Sequence, residues 1–104
     1  DNTVNGDLGL TTSTLFDIFN AGENEVDAYT SKTWAATMER VVDRPAVGFG
    51  KSTSEIDQLL IDLSASTFTG HKLIALEGDN SPRSSASDAA VNSLVSQGVT
   101  VVTK

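Results

Sequence analysis

One arrangement of apolar and polar positions recurs four times along this chain. The segments are "TTSTLFDIF" from Thr11, "TSKTWAATM" from Thr30, "STSEIDQLL" from Ser52 and "SDAAVNSLV" from Ser87. Each opens on Ser or Thr and places apolar residues at its fifth, eighth and ninth positions, with Thr37 the one departure. The positions so marked are Leu15, Ile18 and Phe19; Trp34, Thr37 and Met38; Ile56, Leu59 and Leu60; and Val91, Leu94 and Val95. Residues i, i+3 and i+4 share one face of a helix. A Ser or Thr oxygen at the start accepts a hydrogen bond from a first-turn N–H that has no partner within the helix. The pattern therefore predicts four capped helices, each with one buried stripe. In the third, Ser52-Thr53-Ser54-Glu55 has the spelling of a capping box, and the stripe continues to Leu63.

Between these segments lie short β-type runs. They are "DLGL" from Asp7, "EVDAY" from Glu25, "AVGFG" from Ala46, "KLIALEG" from Lys72 and "VTVVT" from Val99. Leu8/Leu10, Val47/Phe49 and Val99/Val101 alternate as strands do. "GENE", "DRP", "TGH" and "QG" supply the breaks between helix and strand, and Gly98 stands where a helix-ending glycine belongs. The predicted order is β-α-β-α-β-α-β-α-β, which reads as an α/β fold with a parallel sheet. Successive strand starts fall 18, 21, 26 and 27 residues apart. A full βαβ unit needs roughly 30 or more residues. The early spacings suit leucine-rich-type repeats instead. The expected architecture is a small parallel β-α repeat, a solenoid or arc, forming a single domain over 1–104. The alternative is a compact three-layer α/β domain with helices on both faces.

The residues that close the third run, Gly50-Lys51-Ser52, are how a phosphate-binding P-loop ends. The full motif requires a glycine at position 45, which is Pro45. Proline has no N–H to turn toward a phosphate. The stretch is read instead as the end of a strand and the cap of a helix.

Charge narrows the functions further. The net charge is −7, from 14 acidic and 7 basic residues, with no basic cluster. A nucleic-acid partner is not expected, because a phosphate backbone would be repelled. No run approaches the roughly 18 apolar residues of a membrane span, so membrane insertion is not expected either. The chain has no cysteine, and Ser and Thr make up 24 of its 104 residues, a richness frequent in extracellular and fibre-like proteins. It does not begin with methionine, and it reads as a piece or processed product of a longer chain.

Candidate chemistry is sparse. His71 is the one histidine, and the acids lack the spacing of a closed zinc site. No G-x-S-x-G is present for a serine nucleophile. Glu77, Asp79 and Asn80 form an oxygen-rich cluster without the EF-hand spelling, as do Glu23 and Glu25 in "GENE", and both read as solvated turns. Trp34 falls on a buried stripe and reads as core. Tyr29 and Phe49 end strands and read either as part of a sugar- or protein-binding face or as ordinary sheet aromatics. Arg83 is a lone base in "SPRSSASD", placed to pair with Asp79 or Asp88.

The second half also carries a resemblance. An Ile/Leu run from Ile56 to Leu63 is followed by a strand from Leu73 to Leu76. A turn follows at Gly78-Asp79-Asn80-Ser81-Pro82, then a small-residue helix from Ser87 to Val95 and a closing Gly98-Val99-Thr100-Val101. This half resembles leucine-rich-repeat-like terminal modules of phage structural proteins and bacterial surface proteins, with Asn80 near their post-strand asparagine. The resemblance implies an architectural or binding module with no catalytic set. The expected function is a noncatalytic structural or interaction part of a larger assembly, a phage virion (capsid decoration or tail) or a surface protein. Its location would be a virion or the extracellular surface, with the cytoplasm left open, since a chain without cysteine also fits a reducing compartment. Its partner would be protein, a neighbouring subunit or a host receptor, through Tyr29, Phe49, Asp79 and Arg83. Homo-oligomerisation through a parent chain stays open. No cofactor and no metal are expected. The final "VTVVTK" strand suits a capping end of a repeat. The rival expectation is a small ligand-binding or enzymatic α/β domain. Its site would lie at the strand carboxyl ends and be lined by Thr11, Thr30, Lys51, Ser52 and Asp79.

Overall fold

A computed structural model describes residues 29, 31, 33–45, 47–48 and 50–104, together with the backbone of 15–17. The predicted strand at 7–10, residues 25–28 of the predicted strand at 25–29, and Thr11, Thr30 and Phe49 lie outside the described residues.

The α/β class and the parallel sheet are present. Strands β1 (Leu15–Asp17), β2 (Thr37–Val42), β3 (Thr67–Leu76) and β4 (Thr100–Thr103) form one sheet in the order β1-β2-β3-β4, and every neighbouring pair is parallel. Helix α1 (Thr53–Leu63) links β2 to β3. A 3-10 turn at Ser85–Ser87 leads into helix α2 (Asp88–Ser96), which links β3 to β4.

Helix α1 forms as its sequence dictates. Glu55 N donates to Ser52 Oγ while Ser52 N donates to Glu55 Oε1, completing the capping box. Ile56, Leu59, Leu60 and Leu63 are all buried. They pack with Trp34, Met38, Val41, Phe68, Ile74, Leu76, Leu94 and Val99 in one core shared by both helices and one sheet face. Val42 and Ala75 point to the opposite face and are buried too, so β2 and β3 are covered on both sides at their carboxyl ends.

Three predicted elements are corrected. The first helix, read from Thr11, contains strand β1 at Leu15–Asp17. The second, read from Thr30, contains the start of β2, and Trp34 through Ala36 are not helical. Trp34 and Met38 are buried as expected, but Trp34 reaches the core from the irregular segment before β2 and Met38 from the strand itself. The β-branched pair Val41-Val42 favours the sheet. Pro45 disfavours helical backbone at Arg44. The parallel partner β3 supplies the hydrogen bonds that a helix would otherwise make within itself. The predicted strand at 46–50 holds a turn at Val47–Gly48, with Val47 88% exposed and Gly48 at φ +95°. Gly48 leaves the ladder in a backbone region closed to most residues.

Helix α2 keeps its place with a rotated stripe. Ala90 and Leu94 are buried and Val91 is half-buried, whereas Val95 is exposed. Strand β3 is longer than predicted and carries a wide bulge. Met38 faces Phe68, and two residues later Arg40 faces Leu73, so Thr69 to Lys72 loop out of register. Gly70 and Lys72 adopt left-handed backbone there, at φ +59° and +47°. The Lys72 ammonium donates to Gln97 O at the carboxyl end of α2. Gln97 also bonds Phe68 N and Ser66 O, tying the end of α2 to the start of β3. His71 is exposed within this bulge.

Candidate functional site

The carboxyl ends of parallel strands are where an α/β fold gathers polar groups. Here β2 ends in Asp43, β3 ends in the turn Glu77-Gly78-Asp79-Asn80, and the chain enters α1 through Gly50-Lys51-Ser52. The three stretches meet in a buried polar cluster. Lys51 is 3% exposed, Asp43 1% and Asn80 0%. The Lys51 Nζ forms an ion pair with Asp43 Oδ2. Asn80 Nδ2 donates to the same Oδ2 at 3.3 Å, to Asp43 O at 3.1 Å and to Leu76 O at 3.3 Å. Its Oδ1 accepts the Lys51 backbone N–H at 2.8 Å, and Ser81 N donates to Lys51 O.

Two glycines let these backbones meet. A Cβ on Gly50 would stand 1.9 Å from Asp79 O. Gly78, at φ +64°, lies against Arg44 and Pro45, and a Cβ there would fall 2.7 Å from the Arg44 carbonyl carbon. Asp79 N donates to Pro45 O, and Asp79 Oδ2 accepts from Gly48 N at 3.0 Å. Arg44 Nε donates to Glu77 Oε1 at 2.9 Å, on the surface. The turn read as solvated is thus built around a fully buried asparagine, and Asp79 is half-buried. Among the described residues, no three acidic, histidine or cysteine side chains are grouped to hold a metal ion.

This geometry also accounts for the P-loop-like spelling. Lys51 turns inward to Asp43 rather than outward to a phosphate. The N–H groups of Ser52 and Glu55 are taken by the capping box.

Tyr29, expected at a strand end, is not in a strand and docks on α1. Its N–H donates to Glu55 Oε2 at 2.8 Å and its hydroxyl to Asp62 Oδ2 at 2.6 Å. Trp34 Nε1 donates to the Tyr29 hydroxyl at 3.0 Å, and the two rings stack with centroids 6.5 Å apart. Burial pushes the Glu55 carboxyl up, but the N–H groups of Ser52 and Tyr29 and the charge of Lys51 hold it below its ordinary value. Next to this group runs a groove of about 710 Å³, lined by Ser31, Thr33, Trp34, Ile61, Asp62 and Ser66 among others.

Arg83 belongs to a third group of contacts. Asp57, buried on α1, accepts from Ser84 N at 2.9 Å, Ser84 Oγ at 2.5 Å and Ser87 Oγ at 2.6 Å. Arg83 donates to Ser84 O and to Asp88 Oδ1, so of the two expected acids it pairs with Asp88. Burial raises Asp57, and the hydrogen bonds from Ser84 and Ser87 outweigh it, leaving the carboxyl below its ordinary value. Asp57 thereby anchors the turn that begins α2.

Tyr29, Asp79 and Arg83 therefore serve three different groups of contacts, and Phe49 lies outside the described residues. Sequence reasoning missed the Asp43–Lys51–Asn80 cluster. Its signals were a lysine beside a glycine that must touch another backbone, and an asparagine just past a strand. No helix among the described residues is long and apolar enough to cross a membrane. Compared with protein-family models, curated proteins and solved structures, the chain matches none.

Proposed function

We propose that this chain is a noncatalytic structural or interaction module of a larger assembly, a phage virion or surface protein component. One observation carries the reading. At the strand carboxyl ends, where an α/β domain holds its ligand, Asp43, Lys51 and Asn80 bond to one another and to the main chain, and Asp79 accepts from Gly48 N. Groups that close a turn in this way have stability as their role. The sequential strand order, and two helices in contact over one shared core, support a small β-α arc of the leucine-rich-repeat-like kind. Asn80 supports it too. It links the turn after β3 to the backbone after β2, stitching neighbouring repeats at one end of the sheet. The partner is protein, a neighbouring subunit or a host receptor, met across a broad face.

The reading is tested by the opposite behaviours of a turn and a ligand site. Functional-site residues are often replaced at little cost to stability. Asn80→Ala should instead lower stability strongly. A thermal-shift panel of nucleotides, sugars and divalent cations should leave the melting temperature unchanged. Immunogold labelling should place the chain at a fixed position on a particle or cell surface. A stable Asn80→Ala protein, together with a melting temperature raised by one ligand class, would establish the rival ligand-binding domain.

A further inference from the structure

The Asp43–Lys51–Asn80 cluster holds the parts of an acyl-transfer reaction. It has an amine, a carboxamide and a carboxylate that touches both, in a site from which water is excluded. Lys51 Nζ and Asn80 Nδ2 contact the same oxygen, Asp43 Oδ2, and the three residues are 3%, 0% and 1% exposed. We propose that Lys51 and Asn80 are joined by an isopeptide bond that forms inside the folded chain, with Asp43 as the acid-base group.

The chemistry closes without an added reagent. Lys51 gives one proton to Asp43, which converts the buried ion pair to an amine and a carboxylic acid and removes both charges from the core. The Nζ lone pair then attacks Cγ of Asn80. The Lys51 backbone N–H already donates to Asn80 Oδ1 at 2.8 Å, so it steadies the negative charge that builds on that oxygen. Asp43 passes its proton to Nδ2, the Cγ–Nδ2 bond breaks and ammonia leaves. The attacking nitrogen gives up a second proton, which stays on Asp43. Lys51 thus loses two protons, one carried off in ammonia and one kept by Asp43. The product is a secondary amide between Nζ and Cγ, and nothing is oxidised or reduced.

The surroundings favour this outcome. Lys51 and Asn80 are 29 positions apart, and Gly50 packed on Asp79, Ser81 N bonded to Lys51 O and the shared Asp43 Oδ2 bring their side chains to one place before any reaction. The bond would fasten the entry of α1 to the turn after β3. In a chain with no cysteine it would take the part of a disulfide.

Intact-mass spectrometry of the purified chain, held folded at neutral pH and then denatured, decides the matter. The expected mass is the sequence mass less one ammonia. Proteolysis should yield one branched peptide containing both Lys51 and Asn80. Asp43→Asn, which keeps the amine and the carboxamide but removes the acid-base group, should show the full sequence mass. The wild-type measurement stands by itself if that variant fails to fold. A wild-type chain at full sequence mass overturns the proposal. So does loss of one water with Lys51 joined to Asp43. Loss of ammonia with the Lys51 and Asn80 peptides separate overturns it as well, because cyclisation at Asn5-Gly6 releases ammonia too.

Discussion

Replacing Asp57 separates the contribution of one buried carboxylate from the packing around it. The Asp57 side chain accepts three hydrogen bonds, from Ser84 N, Ser84 Oγ and Ser87 Oγ, and is 5% exposed. A hydrogen bond to a charged group contributes about 1.5–3 kcal/mol, and a buried donor left without a partner costs about 1–3 kcal/mol. The two hydroxyls can rotate toward other acceptors, but the Ser84 N–H is fixed by the backbone. Asp57→Ala should therefore lose about 2–4 kcal/mol, and Asp57→Asn, which keeps one acceptor, about 1–2 kcal/mol. The chain has one tryptophan, Trp34, which is buried and stacked on Tyr29, so its fluorescence reports unfolding in urea. The acid limb supplies a second readout. Asp57 is held below its ordinary value of 3.8 in the folded chain, so the unfolded chain binds more protons in that range. Its contribution is present in full above 3.8 and is lost as pH falls through the lower folded value. Wild-type stability should fall steeply below that pH, and Asp57→Asn should flatten the decline. A loss under about 0.5 kcal/mol for Asp57→Ala, with an unchanged acid limb, would refute the anchoring role.

Three further predictions follow from the packing and the strand-end cluster. Leu59→Ala should cost about 2–5 kcal/mol by urea denaturation, because Leu59 is 2% exposed in the shared core. Gly50→Ala should lower the melting temperature by several degrees or prevent folding, since its Cβ would stand 1.9 Å from the Asp79 carbonyl oxygen; a melting temperature equal to wild type would disprove that close approach. ATP and GTP at millimolar concentration should give only heats of dilution in calorimetry, because Lys51 Nζ is engaged by Asp43 and Pro45 stands where a P-loop needs glycine; a Lys51-dependent micromolar affinity would contradict this.

The sequence alone determined the elements whose signals are local. Helix α1 was legible to the residue, because a capping box and an i, i+3, i+4 stripe act within a few turns of chain. The parallel α/β class, the strand from Leu73 to Leu76, helix α2 and the closing strand were legible in the same way. What lay beyond the sequence was whatever one segment does to another. Trp34, Thr37 and Met38 fit a helix stripe, yet Thr37 and Met38 belong to β2, because β3 offers a parallel partner and the core accepts Met38 from either backbone. Val47 and Phe49 alternate as in a strand, but Gly48 takes a left-handed turn. Asp43, Lys51 and Asn80 are scattered in sequence and individually ordinary. Only the close approach at Gly50 brings them into one buried cluster, where the cost of isolating each polar group from water forces them onto one another.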